Sequence, residues 1–183
     1  MVFPRKTISV VLAVWFCWLL TAASPAIAGL NDDKFDGNIF ALYGGNGALV
    51  PPKVSVEQAL NRPDNATLLV FFLDDSRDCK QYSVVVSRLQ SFYGKVTDFI
   101  PINVDSILPK DSYSPTEPGY YWEGVVPQTV LLDRDNQVVF NGKGQVPFEQ
   151  VDDKFREVFD LLPRSESETP KRRPLNEVNE ELQ

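Results

Sequence analysis

The chain has 183 residues, 43% of them hydrophobic, with 18 Lys and Arg against 25 Asp and Glu and a formal net charge of −7. That length suits one domain with additional segments, and the acid excess argues against nucleic acid as a partner, because phosphate binding needs Lys and Arg. Histidine is absent and only Cys17 and Cys79 are present, which removes the commonest general base and metal ligand; no metal and no cofactor are expected.

Residues 1–28 read as an export signal. Arg5 and Lys6 form a basic start, residues 8–23 an apolar stretch, and Ala26-Ile27-Ala28 a small-residue cleavage site before Gly29. The alternative is an uncleaved anchor, although the apolar run is short of the roughly 20 residues that span a bilayer. Cleavage takes Cys17 and two cations with it. The remaining chain has a net charge near −9 and Cys79 as its one thiol, so no internal disulfide can form.

Residues 29–53 form an extension rich in Gly, Asn and Asp, with "NIFALYGG" and "GALV" predicted as two short strands. Ser55 with Gln58 three residues on is a capping box for a short helix. "LLVFFL" is a continuous apolar run, predicted as a strand buried on both faces. Asp74, Asp75 and Ser76 are good helix N-caps. Tyr82, Val85, Val86, Leu89, Phe92 and Tyr93 then recur at helical spacing up to Gly94, with Cys79 on the same face. "TDFIPINVD" is a second strand, and residues 106–124 are an irregular insertion with Pro109, Pro115 and Pro118. "VVPQTVLLD" and "QVVFNGKG" make a hairpin around the turn at residues 133–136. The closing helix carries Phe148, Val151, Phe155, Val158 and Leu162 as one stripe. The tail from Pro163 has too little apolar content to fold and is expected to be disordered.

The order is β-α-β, an irregular crossing, a hairpin and a helix. The first two strands should be parallel, joined by a right-handed crossover, and the last two antiparallel. On "LLVFFLDDSRDCK", Val126-Pro127-Gln128-Thr129 and "VVFNGKG" followed by an amphipathic helix, residues 54–162 resemble thioredoxin-like domains, an α/β fold with a mixed central sheet and flanking helices. The resemblance implies a cis peptide bond at Pro127, facing the redox site. It also places Ser76 where the family has its attacking cysteine, Cys79 at the resolving cysteine, and Val70 at the buried acid. A serine hydroxyl performs no thiol–disulfide exchange, and Asp74, Asp75 and Asp78 oppose a nearby thiolate. "FFLDDSRDCKQYS", "YYWEGVVPQTVLLD" and "NGKGQVPFEQ" further resemble the thioredoxin-like thylakoid membrane photosystem I accumulation factors of cyanobacteria.

These resemblances imply a non-catalytic assembly factor supporting photosystem I accumulation, in the thylakoid lumen or at its membrane, or alternatively in the periplasm. Its partners would be membrane proteins, such as photosystem I subunits or their assembly factors, with contact to a membrane surface as a further expectation. The candidate partner-binding residues are Asp75, Ser76, Arg77, Tyr120, Tyr121, Trp122, Val126 and Pro127. Val126 can offer its backbone to an extended segment, and Tyr120, Tyr121 and Trp122 are either an interface anchor or a lid packed on the sheet. Cys79 is either a small buried side chain or the catalytic thiol of a monothiol disulfide oxidoreductase.

Overall fold

The structure is a computed structural model that describes residues 33–167 and, before them, Trp15. The export signal, its cleavage site and the tail beyond residue 167 lie outside the described residues.

Among the described residues 33–167, four α-helices and four strands follow in order: α1 (Ile39–Leu42), α2 (Val56–Leu60), β1 (Ala66–Phe72), α3 (Arg77–Tyr93), β2 (Thr97–Asn103), β3 (Gln128–Leu132), β4 (Val138–Lys143) and α4 (Phe148–Val158). The sheet runs β2-β1-β3-β4. β1 pairs parallel with β2 and antiparallel with β3, and β3 pairs antiparallel with β4. This is the mixed sheet that the resemblance implied. β1 is the central strand, and all seven of its residues are buried.

The sheet separates two apolar layers. Leu68, Val70 and Phe72 of β1 face α3 and α4, meeting Cys79, Tyr82, Val86, Leu89, Val151 and Phe155. Leu69 and Phe71 face the other way, against Val56 and Ala59 of α2 and against Tyr121. The alternation follows from the two-residue period of a strand.

Two expectations need correction. Residues 39–50 are not strands: Asn38 accepts hydrogen bonds from the Phe40 and Ala41 amides to start α1, and Asn46 caps a 3-10 turn at Gly47–Leu49. Ile39 and Phe40 are each 1% exposed, and full burial of such side chains contributes about 1.5–3 kcal/mol apiece. Gly44 lets this segment lie against α3, since a Cβ there would meet Ser87 Oγ at 2.6 Å and the Phe40 carbonyl at 2.9 Å. The second correction concerns the helix stripes. Phe92 is 60% and Leu162 62% exposed, while Lys80 and Ser83 of α3 are fully buried. The segment 33–43 covers the α3 face that holds Lys80, so that a charged side chain lies inside; Phe92, next to the buried Tyr93, falls off the buried face and lies outside.

Residues 163–167 run back along α4. Arg164 donates to the Glu149 carbonyl at 2.5 Å and to Asp153 at 2.7 Å, and Arg156 donates to Ser167 Oγ at 2.6 Å.

Candidate functional site

The register Phe71↔Gln128 places the loop after β1 and the residues before β3 at the same end of the sheet. Asp75, Ser76 and Arg77 therefore share that end with Val126 and Pro127. The Val126–Pro127 bond is cis, as the resemblance implied; Val50–Pro51 is cis as well.

Ser76 is the N-cap of α3, its Oγ accepting from the Cys79 amide at 3.3 Å. The Arg77 amide, another donor of this helix start, goes to Asp33 Oδ1 at 3.0 Å. Two donors that would otherwise stabilise an anion at the helix end are thus taken by the chain itself. Cys79 is 1% exposed and packs among the apolar residues between α3 and the sheet. Burial pushes its thiol above the ordinary 9.0, and the Asp78 and Asp75 carboxylates add to this, while hydrogen bonding from Ser76 and the Leu73 backbone acts against it. A thiol so placed stays protonated at neutral pH and is a poor nucleophile. Beneath it, Tyr82 and Thr129 share a buried hydroxyl–hydroxyl bond of 2.7 Å, and burial pushes the Tyr82 phenol up to about 12.

Segment 33–43 straps this end of the domain, an arrangement the sequence reading missed. Lys80 has a fully buried side chain; its Nζ donates to the Lys34 carbonyl at 2.6 Å and pairs with Asp36 Oδ2 at 2.9 Å. Tyr43 donates its hydroxyl to the same carboxylate at 2.5 Å. These bonds from Tyr43 and Lys80 hold the Asp36 carboxyl below its ordinary 3.8. Asp74 bridges strap and sheet, accepting from the Ile39 amide at 3.2 Å and from Asn103 Nδ2 at 2.9 Å. The one sequence signal was a lysine beside Cys79 on an otherwise buried helix face, which requires a counter-charge that the sequence does not locate.

The three aromatics separate. Tyr121 is buried, its hydroxyl donating to the Pro115 carbonyl at 2.9 Å. Trp122 is half-buried against the α2 side of the sheet and donates to the Val125 carbonyl at 3.3 Å. Tyr120 is 55% exposed. Tyr121 and Trp122 lie on the opposite sheet face from Cys79, and Val126 packs against both layers. Gln128, fully buried, fixes this loop: Nε2 donates to the Tyr121 carbonyl and to Asn141, and Oε1 accepts from the Glu123 amide, at 2.9–3.0 Å. The Pro127 carbonyl accepts from Gly144, and Gln145 reaches Asp78 and Gln81 of α3. Among the described residues, the Val126 amide and carbonyl form no hydrogen bond. The chemistry available at this end is a free backbone pair, a half-buried Trp122 in the same apolar layer as Val126 and the exposed Arg77, without an accessible thiol.

The chain is 49% identical over 173 residues to the thylakoid membrane protein slr1796 of Synechocystis sp., covering 93% of this chain and 86% of that one. Similar solved structures include the germline-specific thioredoxin Deadhead of Drosophila melanogaster, 19% identical with a TM-score of 0.43 over 55% of this chain and 86% of that one. Another is mitochondrial thioredoxin 3 of Saccharomyces cerevisiae, in its oxidized form, 19% identical with a TM-score of 0.41 over 56% and 84%. The assignment of a thioredoxin-like fold rests on the strand order and the α3 crossover rather than on these scores. No family model matches. By its identity and coverage, the chain belongs to the family of the thylakoid membrane protein slr1796, carried on a thioredoxin-like fold whose first redox position is a serine.

Proposed function

We propose that this protein is a non-catalytic assembly factor that supports photosystem I accumulation at the thylakoid membrane, binding membrane-protein clients through the loop end of its sheet. The observation that carries the non-catalytic part is the burial of Cys79 to 1% exposure, behind a Ser76 whose hydroxyl is committed to capping α3. The name of the relative supports the membrane setting. The unbonded backbone of Val126 supports capture of an extended client segment by strand addition, with Trp122 of the same apolar layer as an aromatic anchor and the exposed Tyr120 two residues before it in the chain as a second. The clients are photosystem I subunits or their assembly factors, met after export to the lumen or at the membrane.

The test is co-purification of the tagged full chain from membranes, with and without reductant, together with photosystem I levels in a strain lacking the gene. Trp122→Ala and Tyr120→Ala are expected to weaken client association, since interface aromatics at a hot spot cost roughly 2 kcal/mol or more on truncation. Cys79→Ser is expected to leave association intact. If Cys79→Ser or reductant abolishes association while the aromatic variants spare it, the protein acts as a monothiol oxidoreductase instead. Normal photosystem I levels in the strain lacking the gene would remove the link to that complex.

A further inference from the structure

The outer face of α3 carries apolar residues that the domain leaves more than half exposed. Val84, Arg88 and Phe92 follow one another at four-residue spacing, on one stripe of the helix. Val84 is 54% and Phe92 60% exposed. Phe148, half-buried at the start of α4, lies 5.9 Å from Phe92 between ring centroids, and the Arg88 guanidinium stands 4.0 Å from the centre of the Phe148 ring. Beyond the helix, Lys95 is exposed and Val96 is 41% exposed.

Charge is segregated along the same element. The chain has 25 Asp and Glu, yet residues 79–97 contain none. Among the described residues, neither Arg88 nor Lys95 forms an ion pair. Glu149, next to Phe148, is turned to Arg164 at 3.8 Å. The helix dipole favours cations near a C-terminus, which accounts for Arg88 and Lys95 but gives Val84 and Phe92 no reason to face water. An apolar stripe flanked by unpaired cations, on a strongly acidic chain, is the charge pattern of an interfacial helix face.

We infer that this ridge rests on an anionic lipid surface, with Phe92, Val84 and Phe148 entering the headgroup boundary and Arg88 and Lys95 meeting lipid phosphate or sulfonate groups. The inference rests on the reading of a protein that works at a membrane, and it is separate from the client site. With α3 lying along the surface, its N-terminal end presents Ser76, Arg77 and the neighbouring Val126 to proteins embedded in the same membrane.

The test uses the full chain and vesicles of phosphatidylcholine alone or with about one-third phosphatidylglycerol. The apolar residues 8–23, where retained, bind both compositions, and Arg5, Lys6, Lys171, Arg172 and Arg173 also favour anionic lipid, so the ridge is read as the difference between the parent chain and its variants. Anionic lipid is expected to lower the lipid concentration needed for half-binding. The double variant Arg88→Gln/Lys95→Gln is expected to reduce that preference on the order of tenfold, from the usual contribution of a cation at such a surface, and Phe92→Ser to weaken binding further. Hydroxyl-radical footprinting of the same mixtures remains decisive where residues 8–23 saturate binding: Phe92 is shielded on anionic vesicles only, and not in the double variant. Equal oxidation of Phe92 on both compositions overturns the inference, as does an anionic preference that Arg88→Gln/Lys95→Gln leaves undiminished. Shielding of Phe92 by a co-purified acidic protein, without any effect of vesicles, overturns it in favour of a protein surface. None of these results alters client association in the Trp122→Ala experiment, so the two readings fail independently.

Discussion

Lys80→Met removes a buried cation while keeping most of its apolar stem. In the native chain that cation is fully enclosed, 2.9 Å from Asp36 and 2.6 Å from the Lys34 carbonyl. Taking one member from a buried pair costs roughly 3–5 kcal/mol, because the other member keeps its desolvation without its counter-charge. The cost here falls below that range, about 1–2 kcal/mol, between a buried and an exposed pair: the Asp36 side chain is 17% exposed and keeps the Tyr43 hydroxyl. Against a domain stability of about 5–15 kcal/mol, that is a large fraction. Urea denaturation of the full chain measures the loss, and hydrogen exchange locates it. The strap amides, Ile39 and Phe40 among them, should exchange faster, while the β1 amides change only with the global stability. A Lys80→Met protein that is as stable as the parent, or whose strap keeps its protection, would refute the claim that this ion pair holds segment 33–43 in place. Acid provides an independent check. The Asp36 carboxyl titrates below its ordinary 3.8 in the folded state, so its contribution is complete above that value and is lost as pH falls through the lower folded value. Asp36→Asn should flatten that acid limb.

Cys79 is expected to resist thiol reagents in the native chain and to react once urea opens the core. Its raised thiol predicts stability that is full below pH 9.0 and declines above it, where the unfolded thiol ionises and the buried one does not; rapid native labelling would count against a structural cysteine. Gln128→Ala leaves the buried Tyr121 carbonyl without its partner and frees the Glu123 amide and Asn141, which water can reach, an expected loss of about 2 kcal/mol, most of it from the carbonyl. Faster amide exchange around Glu123 would confirm that Gln128 anchors the aromatic loop. Ser76→Ala should cost about 1 kcal/mol through loss of the α3 cap, read by thermal melting, whereas an unchanged melting point would mean that Asp33 alone suffices to cap the helix.

Local chemistry made much of the domain legible. "LLVFFL" required burial on both faces, and β1 is buried throughout. The capping box at Ser55 and Gln58 starts α2, and Ser76 starts α3, because side-chain oxygens close to an amide in sequence act over a few residues only. The short turn between β3 and β4 required an antiparallel pair. The resemblance to thioredoxin-like domains set Ser76 at the attacking-cysteine position, where a hydroxyl performs no thiol–disulfide exchange. The strands predicted in "NIFALYGG" and "GALV" failed for a related reason. Asn38 and Asn46 are also capping residues, and a four-residue helix leaves too little periodicity to outweigh an apolar run.

The sequence by itself determined the order of the main elements, the single thiol of any processed chain and the chemistry missing from it. Tertiary structure alone decided what encloses that thiol. The bonds Lys80–Asp36, Arg77–Asp33 and Ile39–Asp74 join residues 35–44 positions apart. They depend on a chain path over α3 that no local pattern encodes, and a buried lysine looks in sequence like any exposed one. The same holds for the aromatics of the insertion: Tyr120, Tyr121 and Trp122 are adjacent and chemically alike, and only the anchoring of the loop by Gln128 sends one into the core, leaves one half-covered and turns one to solvent.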